Sequence, residues 1–276
     1  MRHLLTIDVE EWYEGLPLSA ERKQGYEPAL TRPMHRLLDL LDEHSAKATF
    51  FWLASCAERY PSLVHEAMLR GHEIACHGLS HDPVSAMSRA RFAAETFEAK
   101  KTIEDIAGVA VNGYRAAYFS INAESLWALD ILTEQGFAYD SSIAPIRYWR
   151  YGIPEFPRGI QQRSTAGGSI TEYPMSVHRV ASMNFPFAGG GYFRLLPYGV
   201  VKHCFDRAVE PVVFYLHPWE LDSEHPIVPM ASTVQISHYM NLKQTERKFR
   251  RLLQDFQFTS IAEQSTHISL KNACVA

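Results

Sequence analysis

Short apolar runs recur along this chain, and most of them end on a side chain that can carry charge. Residues 3–8 lead to Asp8, with Glu10 two positions on, and residues 73–76 lead to His77. Gly113-Tyr114 leads to Arg115, Phe137-Ala138-Tyr139 to Asp140, and 211–216, the most apolar run of all, to His217. Ala48-Thr49-Phe50-Phe51-Trp52-Leu53 is a further strand. Helical segments lie between these runs. Residues 31–43 put Met34, Leu37, Leu38 and Leu41 on one face, with Thr31 as cap and Pro33 in the first turn. Residues 62–70 stop at Gly71, 88–106 end near Gly108, and a helix capped by Asn122 ends at Gly136. Residues 170–177 read as a strand, 197–209 and 238–255 as helices, and 257–261 as a last strand.

This alternation constrains the fold more than any other feature. Parallel strands need crossover connections, and a parallel sheet is buried on both faces, so its strands are apolar almost throughout. Six or seven such units in one domain predict an α/β barrel, whose functional groups gather at the carboxyl ends of the strands. Regularity lapses at 143–168 and 221–237, lengths at which loops in compact domains are functional or mobile. Gly189-Gly190-Gly191-Tyr192-Phe193-Arg194 reads as a turn that lets backbone approach something closely. No linker or internal repeat interrupts residues 1–276, which are read as one domain.

Composition narrows the partners. The 276 residues are 46% hydrophobic and 21% charged, ordinary for a soluble globular protein. A net charge of −4, with no basic tail, gives no reason to expect nucleic acid or an anionic membrane surface. No apolar run approaches the roughly 18 residues that span a bilayer. The first strand begins at once, with no signal-peptide core before it, so a cytoplasmic site is expected. Cys56, Cys76, Cys204 and Cys274 lack CxxC spacing and read as reduced thiols.

The strand ends carry the chemistry. In Cys76-His77-Gly78-Leu79-Ser80-His81, two imidazoles four residues apart follow a buried strand, and imidazole is the commonest protein ligand for zinc. Asp8 and Glu10 share one side of a strand and can divide labour, one as metal ligand and one as proton acceptor. Two histidines and a carboxylate form a catalytic zinc set with an open position for water. His217, at the same barrel face, suits general acid work. Asp140 is either a turn-forming cap or the group that orients His217, and Arg115 is placed to pair with Asp8 and tune it.

Taken in order, these segments resemble the NodB-type polysaccharide deacetylases, carbohydrate esterase family four. Thr6-Ile7-Asp8-Val9-Glu10 is similar to the first family motif and His77 to His81 to the second. Tyr114-Arg115-Ala116-Ala117-Tyr118 is similar to the third, Tyr139-Asp140-Ser141-Ser142 to the fourth, and Leu216-His217-Pro218-Trp219-Glu220 to the fifth. Asp-Val-Glu, Gly-Gly-Gly-Tyr-Phe-Arg and His-Pro-Trp-Glu together resemble the subgroup found with bacterial exopolysaccharide synthesis. Glu10 stands where most relatives use aspartate, and Ala117 where the family usually has proline.

The resemblance implies a distorted (β/α)7 barrel and removal of N-acetyl groups from an amino sugar in a glycan or glycan precursor. It implies a divalent metal on Glu10, His77 and His81, zinc first, with Co2+, Mn2+ or Ni2+ as alternatives. Asp8 is then the base, held by Arg115; His217 is the acid, held by Asp140; and the Tyr118 backbone N–H stabilises the oxyanion. Tyr192 and Trp219 are expected to wall the sugar ring, with a place in the core as the other reading of Trp219. Two other functions stay open: a related amidase acting on a formamide or cyclic ureide, and a metal-free barrel that only holds glycan.

Overall fold

A computed structural model describes residues 1–148 and 151–266. Cys274 lies outside the described residues; Cys56, Cys76 and Cys204 are buried free thiols. The strands are β1 (Arg2–Val9), β2 (Thr49–Trp52), β3 (Glu73–Cys76), β4 (Gly113–Tyr114), β5 (Tyr139–Asp140), β6 (Gln161–Thr165), β7 (Gly168–Glu172), β8 (Val177–Val180), β9 (Met183–Pro186), β10 (Val213–Leu216) and β11 (Gln257–Thr259). Seven described strands run parallel in the order β10-β1-β2-β3-β4-β5-β7, and β6 closes one edge antiparallel to β7. β11 pairs with the first residues of β1. The result is an α/β fold whose curled mixed sheet forms a half-barrel.

Burial of both faces explains the apolar strands. Along β1, Leu5, Ile7 and Val9 pack into the large core under the helices, while Leu4 packs with Phe51, Tyr139 and Val213 in the barrel interior. Alternation therefore turns Thr6 and Asp8, and Glu10 just beyond the strand, toward that interior. The helix Thr31–Glu43 buries Met34, Leu37, Leu38 and Leu41 as its spacing predicts, although Thr31 is its first residue and no side chain caps it. Ser88 does cap Arg89–Ala107, its Oγ accepting the Arg91 N–H at 3.2 Å, and Gly108 ends that helix at φ +68°.

The curled sheet stays open between its edge strands β6 and β10. There Gly189 makes a parallel bridge to Tyr215 of β10. A Cβ on Gly189 would lie 2.0 Å from the Tyr215 carbonyl oxygen, and one on Gly190 2.6 Å from the Tyr215 hydroxyl. Both residues have positive φ, so only glycine fits this seam.

Several segments depart from the expected pattern. The stretch read as loop up to 168 contains β6, and the strand expected at 170–177 is divided between β7 and β8. β6 is polar and shows no apolar alternation; its pairing with β7 makes it a strand. The triple glycine opens the helix Gly190–Leu195 instead of a free turn. Asn122 caps a turn through the N–H groups of Glu124 and Ser125, ahead of the helix Ala128–Glu134. The irregular stretch 221–237 holds the start of Ser232–Tyr239, which Asn241 (φ +60°) separates from Leu242–Asp255.

Two buried histidines near the amino ends of the strands must stay neutral. His72 Nδ1 accepts the Ala48 N–H at 3.3 Å, and His3 Nδ1 accepts the Val212 N–H at 3.1 Å. Burial pushes each down to about 4. Their folded values lie below the ordinary histidine range, so their contribution is complete above about pH 6.5 and is lost as pH falls toward about 4. His72→Asn keeps an acceptor that does not titrate. Between about pH 7 and pH 5 the parent should lose up to about 2 kcal/mol more stability than this variant. Urea midpoints at the two pH values measure the difference, and equal slopes would rule out His72 as a source of acid sensitivity.

Candidate metal centre

The interior face of β1 and the turn after β3 bring three ligand-type side chains together. The His77 N–H donates to the Trp52 carbonyl (2.7 Å), and the Gly78 carbonyl accepts the Ala54 N–H (2.9 Å). Gly78 turns the chain at φ +90° and returns His81 beside His77, with ring centroids 5.4 Å apart. Glu10 Oε2 lies 2.5 Å from His81 Nε2 and 3.9 Å from His77 Nε2. One ligand atom from each of the three lies within 4.8 Å of the others.

The donor set fits a divalent metal. His77 Nδ1 is hydrogen bonded to the Arg115 carbonyl at 2.8 Å, so its proton sits there and the Nε2 lone pair is free for a cation. Burial pushes His77 down to about 4. Glu10 Oε2 is buried without a hydrogen-bond partner despite its closeness to His81, as expected of two atoms aimed at a shared third point. Burial would raise the Glu10 carboxyl, but His81, His217 and His77 outweigh it and hold Glu10 well below the usual carboxylate range. Two nitrogens and one carboxylate oxygen suit zinc.

Asp8 stands beside this set in a buried ion pair. Arg115, fully buried, donates from Nη1 to Asp8 Oδ1 (2.8 Å) and Thr6 Oγ1 (2.7 Å). Its Nε and Nη2 donate to the Ser141 carbonyl (3.0 Å) and hydroxyl (2.7 Å), and the guanidinium lies 4.3 Å from the Phe51 ring centroid. The expected Asp8–Arg115 pairing is thus present.

His217 faces both acids, its Nε2 4.0 Å from Asp8 Oδ2 and 3.7 Å from Glu10 Oε1. Its orienting partner is Glu220, not Asp140. Nδ1 meets Glu220 Oε1 at 2.8 Å, and the His217 N–H donates to the same oxygen at 3.0 Å. Glu220 Oε2 in turn accepts from Arg194 Nε at 2.6 Å, and Arg194 is held by the carbonyls of Ser237, His238 and Met240. Burial alone would lower His217, but Glu220, Glu10 and Asp8 raise it to about 9.

Asp140 is engaged elsewhere. It accepts from the Ser142 hydroxyl (2.5 Å) and N–H (3.1 Å) and is hydrogen bonded to Glu172, its register neighbour on β7. Both carboxyls are fully buried and both are raised by burial, Glu172 well above the carboxylate range with Asp140 adding to the shift. A charge on either carboxyl disfavours a charge on the other. Ser142 accepts the Ala116 N–H (2.8 Å), so the pair braces the backbone leading into Ala117 and Tyr118.

The aromatic residues divide. Trp219 takes the core position that was its other reading: it is 6% exposed, stacks on His217 and His238, and donates its indole N–H to Glu10 Oε1 at 3.3 Å. It aims the ligand carboxylate from behind. Tyr118 packs its ring against His81 (4.5 Å), and it and Phe119 hold the strained φ values +59° and +52°. Tyr192 stands a layer further out, its hydroxyl 3.0 Å from that of Tyr151, in a cluster with Tyr215, which packs edge-on to His217. The structure therefore gathers Glu10, His77, His81, Asp8, Arg115 and His217, and adds Glu220, Arg194 and Glu172. Arg194 and Glu220 stood in segments the sequence had singled out, but with no role assigned to them, and Glu172 left no sequence trace.

Residues 25–137 match the family described as Polysaccharide deacetylase, and residues 141–266 match a Domain of unknown function (DUF3473). A Peptidoglycan-N-acetylglucosamine deacetylase of Bacillus cereus is 32% identical over 103 residues, covering 37% of this chain and 36% of that protein. The chain spans less than half the length of the curated relatives it matches. A crystal structure of a Mycobacterium smegmatis protein assigned as a polysaccharide deacetylase superposes with a TM-score of 0.64 at 17% identity, over 98% of this chain and 92% of that one. A mutant CE4-family pseudoenzyme with restored enzymatic activity superposes with a TM-score of 0.50 at 14% identity, over 95% and 66% of the two chains.

Glu10 lies in the candidate metal cluster and Asp8 beside it in an ion pair, so the two acids should respond differently to substitution. Glu10→Gln and His81→Ala should each lower the retention of added divalent metal, measured by metal analysis after dialysis. Asp8→Asn, with its fold checked by circular dichroism because Arg115 loses its counter-charge, should keep it. Loss of metal from Asp8→Asn with retention in Glu10→Gln would reverse the two roles.

Proposed function

We propose that the polysaccharide deacetylase domain of this chain, completed by its DUF3473 segment, is a metal-dependent hydrolase that removes N-acetyl groups from an amino sugar. The observation that carries this reading is the convergence of Glu10, His77 and His81 beside a buried base and a protonated histidine. Glu10 precedes the first matched segment, His77 and His81 lie within it, and His217, Glu220 and Arg194 lie in the second. A site drawn from all three supports treating residues 1–276 as one domain.

A divalent metal on Glu10, His77 and His81, zinc by its donor set, would supply Lewis acidity to a carbonyl oxygen and acidify a water. Asp8, fixed by Arg115, takes the proton of the attacking water. The Tyr118 N–H is the backbone donor for the developing oxyanion, and such donors are worth about 3–4 kcal/mol. His217, positively charged at neutral pH, gives its Nε2 proton to the departing amine while Glu220 holds its Nδ1. Attack and departure are thus served from the two sides of one small interior. The subgroup features of the sequence point to bacterial exopolysaccharide or its precursors as the source of the N-acetyl sugar.

Acetate release from a panel of N-acetylglucosamine oligomers and nucleotide- or lipid-linked N-acetyl sugars tests this reading. The zinc-loaded protein should release acetate; chelation should abolish release and added zinc restore it. His217→Asn should lower kcat by roughly 10²–10⁴-fold while metal content stays unchanged. Release of formate or of an opened ureide would identify a different amidase. Glycan binding that survives chelation, with no product from any substrate, would identify a binding barrel.

A further inference from the structure

We propose that the β8–β9 hairpin and the groove beside it form a docking surface for an anionic lipid bilayer. Among the described residues these strands pair only with each other, so the hairpin stands off the main sheet. Its apolar side chains turn outward: Val180 is 54%, Met183 71% and Phe185 38% exposed. Val209, on the neighbouring turn, is 93% exposed. Residues 173–193 contain no aspartate or glutamate.

The groove supplies the charge. It encloses about 420 Å³ and is lined by Arg158, His178, Arg179, Arg207 and Val209, with Glu210 as its acidic residue. Surface arginines elsewhere, such as Arg32, Arg70 and Arg91, are matched by carboxylates. Arg158, Arg179 and Arg207 form no ion pair among the described residues. Arg179 gives its Nε–H to the Ala181 carbonyl (3.2 Å), which steadies the hairpin tip and leaves its charge uncompensated.

Apolar tips beside unmatched arginines fit the boundary between acyl chains and phosphate headgroups. A nucleic acid would neutralise the arginines but leave Val180 and Met183 in water. A second copy of this chain docked through the same face would set arginine against arginine. The net charge of −4 argues against an anionic partner only as an average; this face has the opposite sign.

Co-sedimentation of the full chain with vesicles tests the proposal without reference to activity. The protein should sediment with phosphatidylcholine–phosphatidylglycerol vesicles, release at high salt, and stay in solution with pure phosphatidylcholine. Val180→Ser with Met183→Ser should weaken partition roughly tenfold or more, since single apolar anchors bind only marginally. Arg158→Glu with Arg207→Glu should remove the preference for the anionic lipid. Hydrogen exchange on the parent protein should show vesicle protection at 177–186 and 207–211. No sedimentation with either vesicle, equal sedimentation with both, protection elsewhere, or binding of duplex DNA in place of vesicles would overturn it.

Discussion

One buried cation organises this molecule. Arg115 leaves the end of β4 and reaches across the barrel interior to Asp8 and Thr6 on β1 and to Ser141 beyond β5. Its own carbonyl fixes the His77 ring. Desolvating a guanidinium costs several kcal/mol unless its donors are matched, and here donors of its fork meet oxygen on both sides of the barrel. The Asp8 carboxylate, the His77 tautomer and the spacing between strand ends therefore depend on one residue. None of these contacts is local in sequence, so the site cannot assemble before the sheet has curled.

That non-locality decided what the sequence could disclose. Strand exits were legible because burial on both faces leaves short, mainly apolar runs in β1 and β10 that break at Asp8 and His217. Ser88 and Gly108 announced their helix because caps act within a few residues. The direction of a side chain around the barrel is set by pairing instead. Asp140 looked like the orienter of His217 because both lie at strand exits, yet β7 places Glu172 against Asp140, while a one-turn helix returns Glu220 to His217. Trp219 looked like a platform for sugar because indoles often are; its burial between His217 and His238 makes it a prop for Glu10. β6 stayed hidden because a polar edge strand carries no apolar alternation, and the β8–β9 hairpin because its apolar residues face outward rather than into a core.

The two matched segments meet in the same interior. The first supplies His77 and His81 of the candidate metal site, and the second supplies His217 with its Glu220–Arg194 support. The open side of the sheet serves this meeting. The glycines at 189 and 190 let backbone press against Tyr215, which packs against His217. A closed barrel would have put a paired strand there; this chain puts the helix that carries Arg194.

The burial of two neighbouring carboxyls, Asp140 and Glu172, couples the histories of two positions. Each carboxyl disfavours a charge on the other, and the backbone into Tyr118 leans on Asp140 through Ser142, so it depends on their combined charge. Amide for acid at Glu172 preserves that charge, and the same change at both positions does not. Lineages descended from this chain should therefore drift at 140 and 172 as a linked pair, with a substitution at one site setting which residues remain viable at the other.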